Sequence, residues 1–239
     1  MLLAFVVAAG IAAVVVWNAH NATENDPAAN VGSAAPVVDV AALQAKAEAG
    51  DAEAACQLAQ WIVKGEDGKP DYAAAARLFQ AAVAKGHVGA MVGLAELYSV
   101  GQGVTNNPAE ALRLYLAAAQ QGNVKAIYCL AGLYEEGRGV KKDHAQAAKW
   151  HQLAAERGLA VAQFNLGQRY ELGLGVKSDL IEAFKWQSLA SKNGIADATE
   201  MIERLRKKMT RDQIAEATRR ADKFSPVTAA PSLVNGLLP

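Results

Sequence analysis

Few side chains of this chain have the types and spacing that catalysis or metal binding requires. His144 and His151 are seven residues apart, so on a helix they would share a face but lie two turns from each other. This spacing favours solvated helix positions over a metal site. The sequence contains neither a Gly-x-Ser-x-Gly elbow nor a His-Glu-x-x-His pair. We therefore predict no catalytic residue, no metal site and no cofactor.

The sequence repeats every 36 residues, and this period predicts the secondary-structure elements that carry these side chains. Glycine recurs at that interval at Gly50, Gly86, Gly122, Gly158 and Gly194. A fixed period of this length is typical of a stack of identical supersecondary units. Counting each unit from the residue after its glycine gives four complete copies, 51–86, 87–122, 123–158 and 159–194.

Each unit is predicted to contain two helices. Alanine recurs at position 4 and large apolar residues recur at positions 8 and 12, a spacing that forms one stripe of a helix. Glycine at position 15 can take a positive φ and end that helix. Asp or Asn at position 21 can cap the second helix, which runs to the last glycine of the unit. The pattern predicts an all-α fold of helix–turn–helix repeats.

The columns A-x-x-x-L-x-x-x-Y-x-x-G-x-G-V-x-x-D, followed by A-x-x-W and A-A-x-x-x-G, resemble the Sel1-like repeat family. Copies 123–158 and 159–194 match this pattern best, and the resemblance covers residues 38–224. It implies a right-handed α-solenoid, a superhelix of antiparallel helix pairs related to tetratricopeptide repeats. The first copy departs from the pattern, since Ile62 replaces the tyrosine and the glycines are spaced differently. We expect a different turn there.

Two cysteines, Cys56 and Cys129, lie in units that are two positions apart in the stack. Their Cα atoms should be farther apart than the roughly 7 Å that a disulfide allows, so we expect free thiols. Cysteine-rich relatives in the Sel1-like family carry a cysteine pair in each unit and have been associated with β-lactam binding or hydrolysis. This chain lacks that framework, which weakens the transfer of such an activity.

The resemblance places a partner on the concave face, which the first helices line in tetratricopeptide-like stacks. Counting 100° per residue, positions 3, 6, 10 and 13 face away from the core stripe. Position 6 is an apolar ladder between polar residues, which suits an extended peptide or a partner helix. Alternatively, these side chains pack on a neighbouring helix and expose nothing. The predicted partner-binding residues are Val92, Glu96, Tyr128, Glu135, Phe164, Gln168 and Glu171.

The ends of the chain differ from the repeats. Residues 1–17 carry no charged side chain and are long enough for a signal peptide or a short membrane anchor, of which we favour the anchor. Residues 18–37 are a predicted flexible linker, residues 195–224 a capping repeat with a capping box at Thr210 and Gln213, and residues 225–239 a flexible tail. Sel1-type proteins with such a leader are often bacterial and exported. The resemblance thus implies the cell envelope, either inner-membrane anchored or periplasmic or secreted.

The charge balance restricts the partner. Lys plus Arg and Asp plus Glu both number 24, which argues against a nucleic-acid binder. We predict a non-catalytic protein–protein interaction scaffold, exported or tethered to a membrane through its N-terminal segment, with a protein or peptide partner. Two alternatives stay open. One is a protein that binds or hydrolyses peptidoglycan fragments or β-lactams, and the other is a purely structural spacer.

Overall fold

The computed structural model describes residues 39–66 and 68–227 of the 239-residue chain. These residues form eleven α-helices and contain no β-strand. The chain divides after Val40 into two units, and nearly all the described residues belong to the unit that begins at Ala41. The predicted anchor, residues 1–17, and the predicted linker, residues 18–37, lie outside the described residues. None of the described helices is both long and apolar enough to cross a bilayer.

The helices are named in chain order. They are α1 Val40–Glu48, α2 Ala52–Lys64, α3 Tyr72–Ala84, α4 Val88–Val100, α5 Pro108–Gln120, α6 Val124–Glu136, α7 His144–Glu156, α8 Ala160–Leu172, α9 Leu180–Lys192, α10 Asp197–Arg206 and α11 Arg211–Asp222. From α2 to α10, consecutive helices pack against each other, and α11 packs against α9. The predicted all-α solenoid of helix pairs is confirmed.

Side-chain caps begin the helices where the repeat columns place them. The predicted caps of the second helices accept a hydrogen bond from a first-turn amide. These caps are Asp71, Asn107, Asp143 and Asp179. Position 1 caps the first helices of units one to three in the same way, through Asp51, His87 and Asn123. Helix α8 follows Leu159 and begins without a side-chain cap.

The glycine turn attaches each unit to the one before it. Gly137 ends α6 in the left-handed conformation, with a φ of +75°. Two residues later, Gly139 lies so close to the start of α5 that an added Cβ atom would be 2.4 Å from the carbonyl oxygen of Pro108. Gly103 and Gly175 make the equivalent approach in units two and four. The second glycine of the turn is therefore required by a backbone contact between units.

The turn of the first unit has a different shape, as its departure from the repeat pattern predicts. The amide of Gly65 donates to the carbonyl of Ile62, three residues earlier. The amide of Gly137 in unit three instead donates to the carbonyl of Leu133, four residues earlier. The first helix of unit one therefore ends in a tighter turn.

The core lies between the paired helices and combines alanine with large side chains. Trp150 of α7 is 0% exposed, and Leu130 of α6 and Leu166 of α8 are buried with it. Small residues between them let the helix axes approach closely while the large side chains fill the remaining space. Cys56 and Cys129 are buried as free thiols, as predicted.

The capping repeat closes the C-terminal end of the stack. Thr210 and Gln213 form the predicted capping box at the start of α11. Beyond that helix, Phe224 packs edge-on against Trp186 with ring centroids 5.5 Å apart. The amide of Val227 donates to a carbonyl at the end of α7, at 2.8 Å. Residues 225–227 thus contact the repeat domain, whereas the sequence assigned them to the tail, and residues 228–239 lie outside the described residues.

We expect Phe224→Ala to lower the free energy of unfolding by about 1–2 kcal/mol, because it removes a half-buried ring and its contact with Trp186. Urea unfolding followed by circular dichroism measures the change. Val227→Ala is the matched control, since it shortens an exposed side chain and leaves the backbone hydrogen bond intact. The control should stay within about 0.5 kcal/mol of wild type. Equal losses in both variants would contradict the role assigned to Phe224.

Candidate functional site

Helices α6 and α8 each present one accessible stripe. On α6 the half-buried residues Lys125, Tyr128, Gly132 and Glu135 follow each other at helical spacing, and the residues between them are buried. The equivalent positions of α8 are also only partly buried. They are Val161, Phe164, Gln168 and Glu171, of which Glu171 has a covered side chain. We call the surface formed by these eight residues the first-helix face.

The predicted apolar ladder is not accessible in the first two units. Val92 is 4% exposed and Cys56 is 2% exposed, and both pack in the core. In these units position 7 is less buried than position 6, since Gln57 is exposed and Gly93 is half-buried. Positions 6 and 7 are each three or four residues from positions 3 and 10, so counting 100° per residue does not show which of the two faces outward. The predicted exposure of Val92 is wrong, and the ladder is reduced to Tyr128 and Phe164.

Tyr128 is half-buried in a fixed orientation on the first-helix face. Asn165 Nδ2 donates to its hydroxyl oxygen at 3.2 Å, which connects α8 to α6. The ring of His151 packs against the tyrosine ring with centroids 5.5 Å apart. Phe164 lies half-buried on the neighbouring stripe. The structure thus brings the two predicted aromatic anchors to the same surface.

Two of the predicted acidic residues are paired with basic side chains of the next unit. Glu96 Oε1 is 2.6 Å from Lys125 Nζ, and Glu135 Oε2 is 2.7 Å from a guanidinium nitrogen of Arg169. Burial raises the pKa of Glu96 against the effect of Lys125. Burial would also raise the pKa of Glu135, but the neighbouring His151 and the charge of Arg169 outweigh it and lower that pKa to about 2. Both carboxylates therefore have a counter-charge within the protein.

The third predicted acidic residue, Glu171, is covered by the capping repeat. Its side chain is 4% exposed, and its carboxylate accepts hydrogen bonds from Arg204 and Lys208. Burial would raise the pKa of Glu171, but these two partners outweigh it and lower the pKa. Its predicted exposure is wrong, because the capping repeat stacks over a position that the last complete unit would otherwise leave open.

His151 lies beneath the first-helix face and not in solvent, so its predicted solvated position is wrong. The side chain is 3% exposed and Nε2 is 3.8 Å from Glu135 Oε2. Burial lowers the pKa of His151 despite the carboxylate, which leaves the ring uncharged at neutral pH. His151 occupies a repeat column that faces the first helices and is buried in every unit. The column reads Phe79, Tyr115, His151 and Gln187.

His144 and His151 differ in their environment. His144 is exposed at the start of α7, apart from the buried His151. Within residues 39–66 and 68–227, no group of three or more His, Cys, Asp or Glu side chains is placed to hold a metal ion. The accessible groups of the first-helix face are aromatic rings, amides and compensated charges.

An opening in the first-helix face lies above Gly132, in the middle of α6. A Cβ atom added to Gly132 would have no neighbour within 4 Å outside its own helix backbone. Helix α8 reaches α6 on both sides of this position, through Asn165 to Tyr128 one turn earlier and through Arg169 to Glu135 about one turn later. We call the space framed by these two contacts the Gly132 opening.

The family model of the Sel1 repeat matches residues 52–87, 88–123, 124–159 and 160–195, which together make up more than half of the chain. The chain belongs to the Sel1 repeat family. The matched segments agree with the predicted copies to within one residue at each end. Sel1-like repeats generally mediate protein–protein interaction, and their fold is typically that of a non-catalytic scaffold.

Two solved structures of Sel1-type proteins resemble this one. A Sel1 repeat protein from Oxalobacter formigenes is 26% identical, with a TM-score of 0.66 over 80% of this chain and 78% of its own. A protective antigen of uropathogenic Escherichia coli strains with an SLR fold is 27% identical, with a TM-score of 0.48 over 83% of this chain and 50% of its own. No curated protein matches this sequence.

Sequence reasoning missed the residues that shape the face between these Sel1 repeats. Asn165 and Arg169 bridge α8 to α6, and Gly132 leaves the space between the bridges. The bridging pairs do not recur at equal positions in every unit, so a column-by-column comparison does not find them. One signal was visible in the sequence, since Gly132 stands at position 10 where the other units have glutamine or glutamate.

Proposed function

We propose that this Sel1 repeat protein is a non-catalytic scaffold that binds a peptide segment or protein partner on its first-helix face. The observation that carries the proposal is the position of Tyr128 and Phe164, two aromatic side chains that stay partly accessible on adjacent first helices. Aromatic residues dominate binding energy at protein interfaces. Tyr128 is also held in place by Asn165 and His151, which reduces the entropy lost on binding.

We further propose that the scaffold is exported or tethered to a membrane through residues 1–17. Support for this comes from the sequence, in which those seventeen residues carry no charged side chain. A polar segment, residues 18–37, then separates them from the repeats. In this arrangement the partner is a protein or peptide of the cell envelope, on the same side of the membrane as the repeats.

The test is crosslinking capture from native membranes by the whole chain, compared with the Tyr128→Ala/Phe164→Ala double variant. We expect the double variant to capture at least about tenfold less partner than wild type, because it removes a binding hot spot. Its helicity and melting temperature are compared with wild type first. A partner that wild type captures and the double variant does not would assign binding to the first-helix face.

Leu112→Ala/Leu116→Ala is the matched control. It removes a similar amount of half-buried apolar side chain from α5, a second helix. We expect this control to capture the partner as wild type does. Equal capture by wild type and by both double variants would show that binding occurs elsewhere on the protein.

A further inference from the structure

We propose that the Gly132 opening receives a single uncharged side chain of the partner, aromatic or aliphatic, from a segment that runs across α6 and α8. This inference rests on the proposed function, because it assigns the chemistry of the partner at the same face. It adds the position of the anchor and the class of residue that fills it.

The space is there because unit three has glycine where the other units have a side chain. Position 10 reads Gln60, Glu96, Gly132 and Gln168. The other glycines within the first helices are closely approached, since a Cβ atom at Gly93 would meet Phe79 at 2.5 Å and one at Gly167 would meet Gln187 at 2.7 Å. Only at Gly132, among the glycines inside the described helices, would a Cβ atom meet nothing.

Two contacts between α6 and α8 form the walls of the opening. On one side the hydroxyl of Tyr128 accepts a hydrogen bond from Asn165 at 3.2 Å. On the other side Glu135 and Arg169 are joined at 2.7 Å, and Arg169 is 3% exposed. Because both contacts join α6 to α8, the opening is already formed in the structure without a partner. A preformed site of this kind loses little free energy to ordering.

The charge around the opening selects against a charged anchor. The carboxylate of Glu135 is compensated by Arg169, and Glu96 on the preceding first helix is compensated by Lys125. His151 beneath the face is uncharged at neutral pH because burial lowers its pKa. A basic side chain would have to compete with Arg169 for Glu135, and an acidic one would meet that same carboxylate. An uncharged side chain has neither cost.

The rim also supplies hydrogen bonds for an extended peptide. Gln168 lies half-buried on the same first-helix face, next to Arg169 in sequence, and its amide can both donate and accept. A backbone passing over α8 can satisfy one N–H and one C=O group on such an amide. The anchor side chain would then enter the opening beside the ring of Tyr128, where ring contact adds to burial of apolar surface.

The experiment selects short random peptides displayed on phage against the whole chain and measures the binding of the enriched peptides to variants. We expect these peptides to share one aromatic or aliphatic residue flanked by uncharged residues. Their affinity should change less than about tenfold when the salt concentration is raised enough to screen exposed charges. Gly132→Leu fills the opening and should weaken binding at least about tenfold. It should not lower the melting temperature, because the Cβ atom that it adds meets nothing within 4 Å outside its own helix backbone.

Ala81→Leu is the matched control, since it enlarges an exposed side chain of α3 and should leave binding unchanged. Enriched peptides that share a charged anchor would overturn the inference. So would peptides that bind Gly132→Leu normally but lose binding to Tyr128→Ala/Phe164→Ala, although the proposed function would then still stand. Peptides that bind both of these variants as they bind wild type would overturn both.

Discussion

Gly139→Ala should lower the free energy of unfolding by about 3 kcal/mol or more, the largest effect we expect from adding a single methyl group. Two costs add at this position. The residue has a φ of +71°, which costs an L-residue roughly 1–2 kcal/mol. The new Cβ atom would also lie 2.4 Å from the carbonyl oxygen of Pro108, and a backbone atom cannot move aside as a side chain can. The turn of unit three would then lose its contact with α5.

Two other glycines separate these costs. Gly122 has a φ of +86° but nothing within 4 Å of an added Cβ atom, so Gly122→Ala should show the conformational cost alone, about 1–2 kcal/mol. Gly132 lies inside α6 with neither problem, and Gly132→Ala should raise stability by about 0.5–1 kcal/mol, since alanine favours the helix.

Urea unfolding of the three alanine variants and wild type measures this series. From the most to the least stable, the expected order is Gly132→Ala, wild type, Gly122→Ala and Gly139→Ala. If Gly139→Ala and Gly122→Ala lower the free energy of unfolding by the same amount, the close contact between the turn and the preceding unit adds no measurable cost to the substitution. In that case the second glycine of the turn would be explained by its φ alone.

The same comparison of glycines shows how far the sequence could predict the fold. The 36-residue period locates the helices of the four complete units and the caps of their second helices, because those features depend on residues close in the chain and recur in each unit. The period also identifies Gly139 as a turn glycine. It does not show that the residue touches Pro108, because that contact joins different units and depends on how tightly they stack.

The candidate site was less predictable for the same reason. Tyr128 and Phe164 were found because they share a column, but the exposure of Val92 was wrong by one helical position. The pairings of Glu135 with Arg169 and of Glu171 with Arg204 join residues of different columns, so no column comparison reveals them. Side-chain pairing across unit boundaries is decided by three-dimensional packing, and it changes from one boundary to the next.

The ion pair between Glu135 and Arg169 carries the second large prediction. Glu135→Ala would leave Arg169, which is 3% exposed, without its carboxylate, and an uncompensated buried charge costs about 3–5 kcal/mol. Because the Glu135 side chain is 33% exposed, water can partly replace it, and we expect a loss near about 3 kcal/mol. The double variant Glu135→Met/Arg169→Met should recover most of that loss, since it removes both charges and keeps apolar volume.

Low pH should destabilise the wild-type protein through protonation of Glu135. The pKa of Glu135 is lowered from 4.5 to about 2 in the folded protein, so its contribution to stability is complete above pH 4.5 and is lost as the pH falls toward 2. Glu135→Gln lacks this titration, so its stability should change less than that of wild type over that range. His151, whose pKa is lowered from 6.5, adds a separate loss that begins below pH 6.5 and should persist in Glu135→Gln. Urea unfolding at a series of pH values tests both, and parallel curves for wild type and Glu135→Gln below pH 4.5 would show that the Glu135–Arg169 pair does not stabilise the fold.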